Sequence, residues 1–134
     1  MAKLETVEGI GKKYAKALRK AGVGSTHSLL QQAASAKGRK ELSKKSGITT
    51  TLLLEWANHV DLFRVKGVGE EYADLLEEAG VDTVPELAQR NPKNLYARLV
   101  SVNHEEKLVR QLPGQASVEA WVEQAKKMPR VITH

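Results

Sequence analysis

From Lys12 onward the apolar positions Tyr14, Ala15, Leu18 and Ala21 fall at the spacing of one helix face. Gly22 then stands where a left-handed residue ends a helix. The same sentence is written again 58 positions later. Val7, Gly9, Gly11, Tyr14, Ala15, Leu18, Ala21, Gly22 and Val23 recur as Val65, Gly67, Gly69, Tyr72, Ala73, Leu76, Ala79, Gly80 and Val81. Ile10 answers to Val68, and Leu29 to Leu87. So many matches in one register mark an internal repeat. Its boundary falls near Asp61 to Val65, giving a first repeat over residues 1–62 and a second over 63–134.

Other signals place further helices. "TVPE" from Thr83 sets a cap, a proline in the first turn and Glu86 at the third helical position, a capping box. Asn103 with Glu106 offers another. "LSKKSGITTTLLLEW", residues 42–56, reads as a second turn at Gly47 with a threonine starting the next helix. Its counterpart is "LVRQLPGQASVEAW", residues 108–121, although Gly47 to Trp56 spans nine positions and Gly114 to Trp121 only seven. Each repeat would then hold two tight turns. No segment alternates apolar and polar residues in the manner of a strand, so the expected fold is all-α.

Composition narrows the function. At 134 residues the chain is one domain or two small ones, because about 60 residues is near the lower limit for a self-sufficient core. The longest aliphatic run is Leu52 to Leu54, far short of the roughly 20 apolar residues a membrane span needs. The N-terminal "MAKLETVEGIG" has no apolar core for a secretion signal, and there are no cysteines for disulfides, thiolate metal sites or thiol catalysis. A cytoplasmic protein is expected. The net charge of +5 is divided unequally. Residues 1–66 hold 13 Lys/Arg against 5 Asp/Glu, whereas residues 67–134 hold 8 against 11. The two repeats therefore face different partners.

A short apolar-Gly-apolar-Gly turn that opens a helix brings the backbone close to a ligand while unpaired N–H groups point outward. The positive end of the helix dipole completes an anion site. Gly9, Ile10, Gly11, Lys12 and Lys13 fit that description. Lys12 and Lys13 oppose the dipole at a cost of about 0.3 to 1 kcal/mol each, and broken local rules tend to mark function. Arg19 and Lys20 suit the other end of the helix, so dipole-matched surface roles explain them better. Lys37, Arg39, Lys40, Lys44 and Lys45 extend the basic region around the second turn, with only Glu41 opposing. In the second copy the turn Gly67, Val68, Gly69 is followed by Glu70 and Glu71, which suit the dipole but would repel a phosphate. Glu77 and Glu78 near the far end are disfavoured by the same dipole, so the acidic face awaits a basic partner, another protein or a second copy of the chain.

The stretches "VEGIGKKYAKALRKAGV" and "VKGVGEEYADLLEEAGV" resemble the helix-hairpin-helix motif. With "SGITTTLLLEW" added, the first repeat is similar to the double helix-hairpin-helix domain, a SAM-like fold, at the N-terminus of RadA-type recombinases. The whole chain resembles an uncharacterised bacterial family of tandem helix-hairpin-helix domains. That resemblance implies sequence-independent contact with duplex DNA, hairpin amides meeting phosphates across the minor groove, and in some members a monovalent cation in the turn. Carried over by position it points to Gly9, Ile10, Gly11, Lys12 and Lys13, and then to Gly47, Ile48 and Thr49 beside Lys44 and Lys45. The second repeat departs from the pattern at Glu70 and Glu71, and Gln115 follows Gly114 where a small or apolar residue is usual.

Enzymatic readings find little support. "GVGEEY" lacks the third glycine of a dinucleotide fingerprint, and "GIGKKY" lacks the long loop and Ser/Thr of a P-loop. His27, His59, His104 and His134 show no metal-ligand spacing and are expected at the surface or as caps. Glu70, Asp74 and Glu78 line one helix face as an exposed stripe rather than a cation site. Helix-hairpin-helix glycosylases carry a downstream catalytic aspartate pattern that this chain lacks. Trp56 and Trp121 are expected as core anchors, and aromatics at 4% supply no base-stacking platform. No catalytic residue, resident cofactor or metal is therefore expected. The sequence points to a non-enzymatic binder of duplex DNA acting through its first repeat, or alternatively to a protein-interaction module with purely structural turns.

Overall fold

The computed structural model describes residues 3–134. Eight α-helices and no strand occur among them, as the absence of two-residue alternation predicts. The helices are α1 (Lys12–Lys20), α2 (Thr26–Ala33), α3 (Ala36–Ser46), α4 (Thr50–Leu62), α5 (Glu70–Glu78), α6 (Val84–Ala88), α7 (Pro92–Glu106) and α8 (Gln115–Lys126). A short 3-10 turn at Leu4–Thr6 precedes α1. No helix of the described residues is long and apolar enough to cross a membrane.

The chain divides into two compact units, the first ending at Asp61 but also taking in Val131–His134, the second running from Leu62 to Arg130. In the first unit α1 lies against the 3-10 turn and α3, and α2 against α3. Its core is built from Leu4, Val7, Leu18, Leu29, Leu42, Leu53 and Trp56, each withdrawn from water. Burying such a side chain is worth about 1.5 to 3 kcal/mol. The C-terminal tail is tied in by the backbone: the Thr133 N–H donates to the Ala34 carbonyl at 2.8 Å, and Ile132 is buried. In the second unit α6 and α7 pack on α8, and α5 on α7, around Leu76, Val84, Leu87, Leu95, Leu99 and Trp121.

Five helices begin with a side-chain cap. Ser25, Ser35, Thr83 and Asn91 accept from the amides of Ser28, Gly38, Glu86 and Asn94, and Thr49 Oγ1 accepts from the Leu52 amide at the start of α4. Such contacts satisfy amides that the helix itself leaves unpaired. At Thr83 the reciprocal arm of the box lands one residue early, Glu86 accepting from the Asp82 amide at 3.0 Å.

Three expectations are corrected. Asn103 opens no helix; it lies in the last turn of α7, where its carboxamide accepts from the Val109 N–H at 2.9 Å and donates to the Val109 carbonyl at 3.2 Å. An Asn reaches backbone a few residues ahead equally well as a cap or as a clamp after the helix, and here Asn91 with Pro92 has already begun α7. Gly47 is not matched by Gly114. Gly47 is left-handed, φ 77°, and closes α3, a role taken in the second unit by Lys107 at φ 52°. Gly114 is extended and opens α8, the role of Thr49. Trp56 and Trp121 each stand seven positions after that opening residue, so the helices keep one register while the connection lengthens from residues 47–49 to residues 107–114. His59, finally, is 2% exposed rather than a surface residue. The C-terminal half of α4 is buried on nearly every face, from Trp56 and Ala57 through Val60 to Leu62.

Candidate nucleic-acid interface

The first glycine turn is fastened from below. Val7 and Ile10 are buried, and the Ile10 N–H donates to the Val7 carbonyl at 3.0 Å. Between them Gly9 takes φ +93°, which an L side chain rarely adopts. The Trp56 indole nitrogen sits 3.3 Å from where a Cβ on Gly9 would be, so the conformation favours glycine and a side chain would also press the indole back by a few tenths of an ångström. Trp56 is fixed in turn by Tyr14, whose ring meets it edge-on at 5.1 Å and 62°. A tryptophan from α4 thus presses on the back of the turn that opens α1.

The front of the turn is different. Gly11 caps α1 in an extended conformation, φ −83°, with no side-chain hydrogen bond to the helix amides. Its Cβ position meets nothing within 4 Å. No acidic residue stands in the first turn, and Gly11, Lys12 and Lys13 are all exposed. Lys16, one turn further on, is exposed too. Its place in the same helical stripe as Lys12 could have flagged it from the sequence. Two like charges therefore crown the positive end of a helix dipole whose leading amides no side chain caps, an arrangement suited to an anion.

The second turn of this unit is built otherwise. Ile48 is buried, and its N–H donates to Ser46 Oγ at 3.2 Å, while Ser43 Oγ donates to the Ile48 carbonyl at 2.5 Å. With Thr49 capping the Leu52 amide, these groups are engaged within the fold. Gly47, Thr49, Lys44 and Lys45 are exposed, so this turn offers charge more readily than amides. Arg39 leaves the basic surface altogether. It is 5% exposed, and its guanidinium donates to the carbonyls of Ala33 at 2.9 Å, Ala34 at 3.1 Å and Thr133 at 2.8 Å. Nothing local in the sequence signals that role, because one acceptor lies 94 residues away. Arg19 donates to both oxygens of Glu5, at 2.8 and 3.1 Å. This pairing holds the Glu5 carboxyl below the usual glutamate range and raises the Arg19 guanidinium.

The second copy repeats the geometry with inverted charge. Gly67 takes φ +94° with the Trp121 indole nitrogen 3.0 Å from its Cβ position, Val68 is buried, and Val68 N–H donates to the Val65 carbonyl at 3.0 Å. Gly69 caps α5 without a side-chain bond, and Glu70 and Glu71 are exposed in the first turn. Tyr72 leans on Trp121 at 5.4 Å, and its hydroxyl donates to the Gln111 carbonyl at 3.0 Å, binding the long connection to α5.

No curated protein and no solved structure matches the chain. A family model matches residues 8–128, nearly the whole length and both glycine turns. The chain belongs to the family described as Domain of unknown function (DUF4332).

Proposed function

We propose that the protein is a non-enzymatic, sequence-independent binder of duplex DNA, composed of two tandem helix-hairpin-helix repeats of which the first makes the contact. The observation that carries this reading is the start of α1, where Gly11 supplies no side-chain cap and Lys12 and Lys13 are exposed against the dipole. Backbone amides at Gly11 to Lys13 meet one phosphate, and Lys44 and Lys45 add charge from beside the second turn. The acidic start of α5 repels phosphate, so the second repeat supports the first or contacts something else. A resident cofactor has no role in this reading, and the protein acts where DNA is, in the cytoplasm.

The test is fluorescence anisotropy of a labelled duplex at several salt concentrations. If the four lysines neutralise about four phosphates, log K should fall with log salt at a slope near −3.6. Lys12→Glu/Lys13→Glu should abolish binding and Glu70→Lys/Glu71→Lys should strengthen it. Wild-type protein that fails to bind at low salt, or binds without regard to salt, refutes the proposal and leaves the turns as structural parts of a protein-interaction module.

A further inference from the structure

The charges of the two glycine turns and their helices invert position by position. Between residues 7 and 23 the charged residues are Glu8, Lys12, Lys13, Lys16, Arg19 and Lys20; between 65 and 81 they are Lys66, Glu70, Glu71, Asp74, Glu77 and Glu78. Each stands 58 positions from its opposite, and neither stretch has a charge that the other lacks. Simple drift toward acidity in the second copy does not describe this, because Glu8 in the basic copy answers to Lys66 in the acidic one. The backbones beneath the charges agree as well. Both helices have nine residues, and the bonds that close them recur in the same register, Val23 N–H to Leu18 and Val81 N–H to Leu76, each at 2.9 Å. At 100° per residue the helical charges occupy roughly a third of the circumference, so each helix presents them on one face.

We propose that the α1 face of one copy docks on the α5 face of a second copy, with the two helices side by side and parallel. A surface of this spacing needs a partner of the same spacing and opposite sign, and the chain itself carries one. Direction follows from the ends. An antiparallel pair would set Glu8 level with Glu78 and Lys20 level with Lys66, like against like at both ends, whereas a parallel pair sets each charge level with its opposite. Like charges facing each other across an interface oppose association. Where the two N-termini lie together, Glu70 and Glu71 offset both helix dipoles as well as Lys12 and Lys13.

Not every charge contributes. Arg19 is held by Glu5, and Asp74 and Glu77 are engaged within the protein. The contact rests on four pairs whose members are all exposed: Glu8 with Lys66, Lys12 with Glu70, Lys13 with Glu71 and Lys20 with Glu78. Exposed pairs are weak singly and screened by salt, so association is weak at physiological ionic strength and grows as salt is removed. Each copy keeps one face unused after the first contact, so assembly continues until a ring closes. This inference stands without the DNA reading, although both use the α1 face and the two partners would compete for it.

The experiment is sedimentation velocity of full-length protein freed of nucleic acid, over a concentration series at two ionic strengths. At about 0.01 M the Debye length is about 30 Å and the sedimentation coefficient should rise with concentration; at about 1 M it is about 3 Å and the protein should sediment as a monomer. Lys12→Glu/Lys13→Glu/Lys20→Glu and Glu70→Lys/Glu71→Lys/Glu78→Lys should each be monomeric alone at low salt, yet co-sediment as larger species when mixed. Versions with glutamine at the same positions should each weaken association alone, yet pair one to one when mixed and go no further, because the mixture keeps one wild-type face of each sign. Glu8→Lys should weaken association and Glu8→Lys/Lys66→Glu should recover it. Circular dichroism confirms that each variant is folded. A wild type that is monomeric at low salt, or a mixture that stays monomeric, overturns the proposal; failure of the Glu8/Lys66 exchange to recover association overturns the parallel arrangement.

Discussion

Replacing Gly11 with alanine separates what the glycine turn needs for folding from what it offers a ligand. At Gly9 glycine is favoured by φ +93°, and the Trp56 indole 3.3 Å from the Cβ position makes the space tight as well. Gly9→Ala should therefore cost about 1 to 3 kcal/mol of strain, less the 0.4 to 1 kcal/mol gained by restricting the unfolded chain. Gly11 has neither constraint: its φ is −83° and a Cβ there meets nothing within 4 Å. The same unfolded-chain gain applies, opposed by the poorer capping of alanine relative to glycine, so the two nearly cancel to within about 0.5 kcal/mol. Urea melts should show Gly9→Ala shifted and Gly11→Ala close to wild type. Binding should reverse that order of harm. If a phosphate sits against the Gly11 amide, a methyl group there blocks its approach and forfeits a charge-assisted hydrogen bond of about 1.5 to 3 kcal/mol, roughly 10- to 100-fold in affinity for duplex DNA. Gly11→Ala that is stable and binds like wild type refutes the idea that this backbone meets an anion. Gly11→Ala that unfolds refutes the open space inferred around it.

Three further outcomes follow from single contacts. Arg39→Met should destabilise the first unit by roughly 2 to 3 kcal/mol, since three carbonyls lose a charged donor, and amide exchange at Thr133 should quicken; the DNA salt slope should barely change, whereas Lys44→Ala should flatten it by about 0.9. Tyr72→Phe should cost about 0.5 to 1.5 kcal/mol in chemical denaturation by freeing the Gln111 carbonyl and the connection that holds it, while Tyr14→Phe changes stability by less than that. Glu5 titrates below its unfolded value because Arg19 hydrogen-bonds the carboxylate, so the pair's contribution is complete above the unfolded glutamate pKa and is lost as pH falls through the lower folded one. Acid titration of wild type against Glu5→Gln should show the two stability curves converging only on the acid side, and an unchanged gap there would sink the assignment.

The repeat is legible in the sequence because positive-φ backbone tolerates few substitutes: Gly9, Gly22, Gly67 and Gly80 all lie between +93° and +96°. Val7 and Ile10 are legible only as repeated apolar positions, answered by Val65 and Val68, and their burial beneath the turn comes from the structure. What escapes the sequence depends on chain segments far apart. Arg39 looks like one more member of a basic run until Thr133 is found beside it. Trp56 reads as a core residue, which it is, but not as the support of Gly9, because the two are 47 positions apart. The lengthened connection at residues 107–114 hides which glycine plays which part, and only the constant distance from helix start to tryptophan restores the register.

The distribution of helix caps carries the functional question one step further. The chain places Ser, Thr or Asn at the start of five helices and glycine at α1, α5 and α8, none of which receives a side-chain hydrogen bond from its cap. A cap contributes about 1 kcal/mol, so leaving it out at both repeated turns needs a compensating reason. For α5 the reason is internal: Glu70 and Glu71 place negative charge at the dipole's positive end, worth about 0.3 to 1 kcal/mol each. For α1 it is not, because Lys12 and Lys13 add to the positive potential and no acidic residue stands in that turn. The same backbone thus ends in a balanced charge in one repeat and an excess in the other. An anion brought to α1 would relieve this excess, and the phosphates of a duplex and the carboxylates of a second copy's α5 are the two sources proposed above. Competition tests whether they share a site: added duplex should dissolve the self-assembly if both use α1, and should leave it intact if either does not.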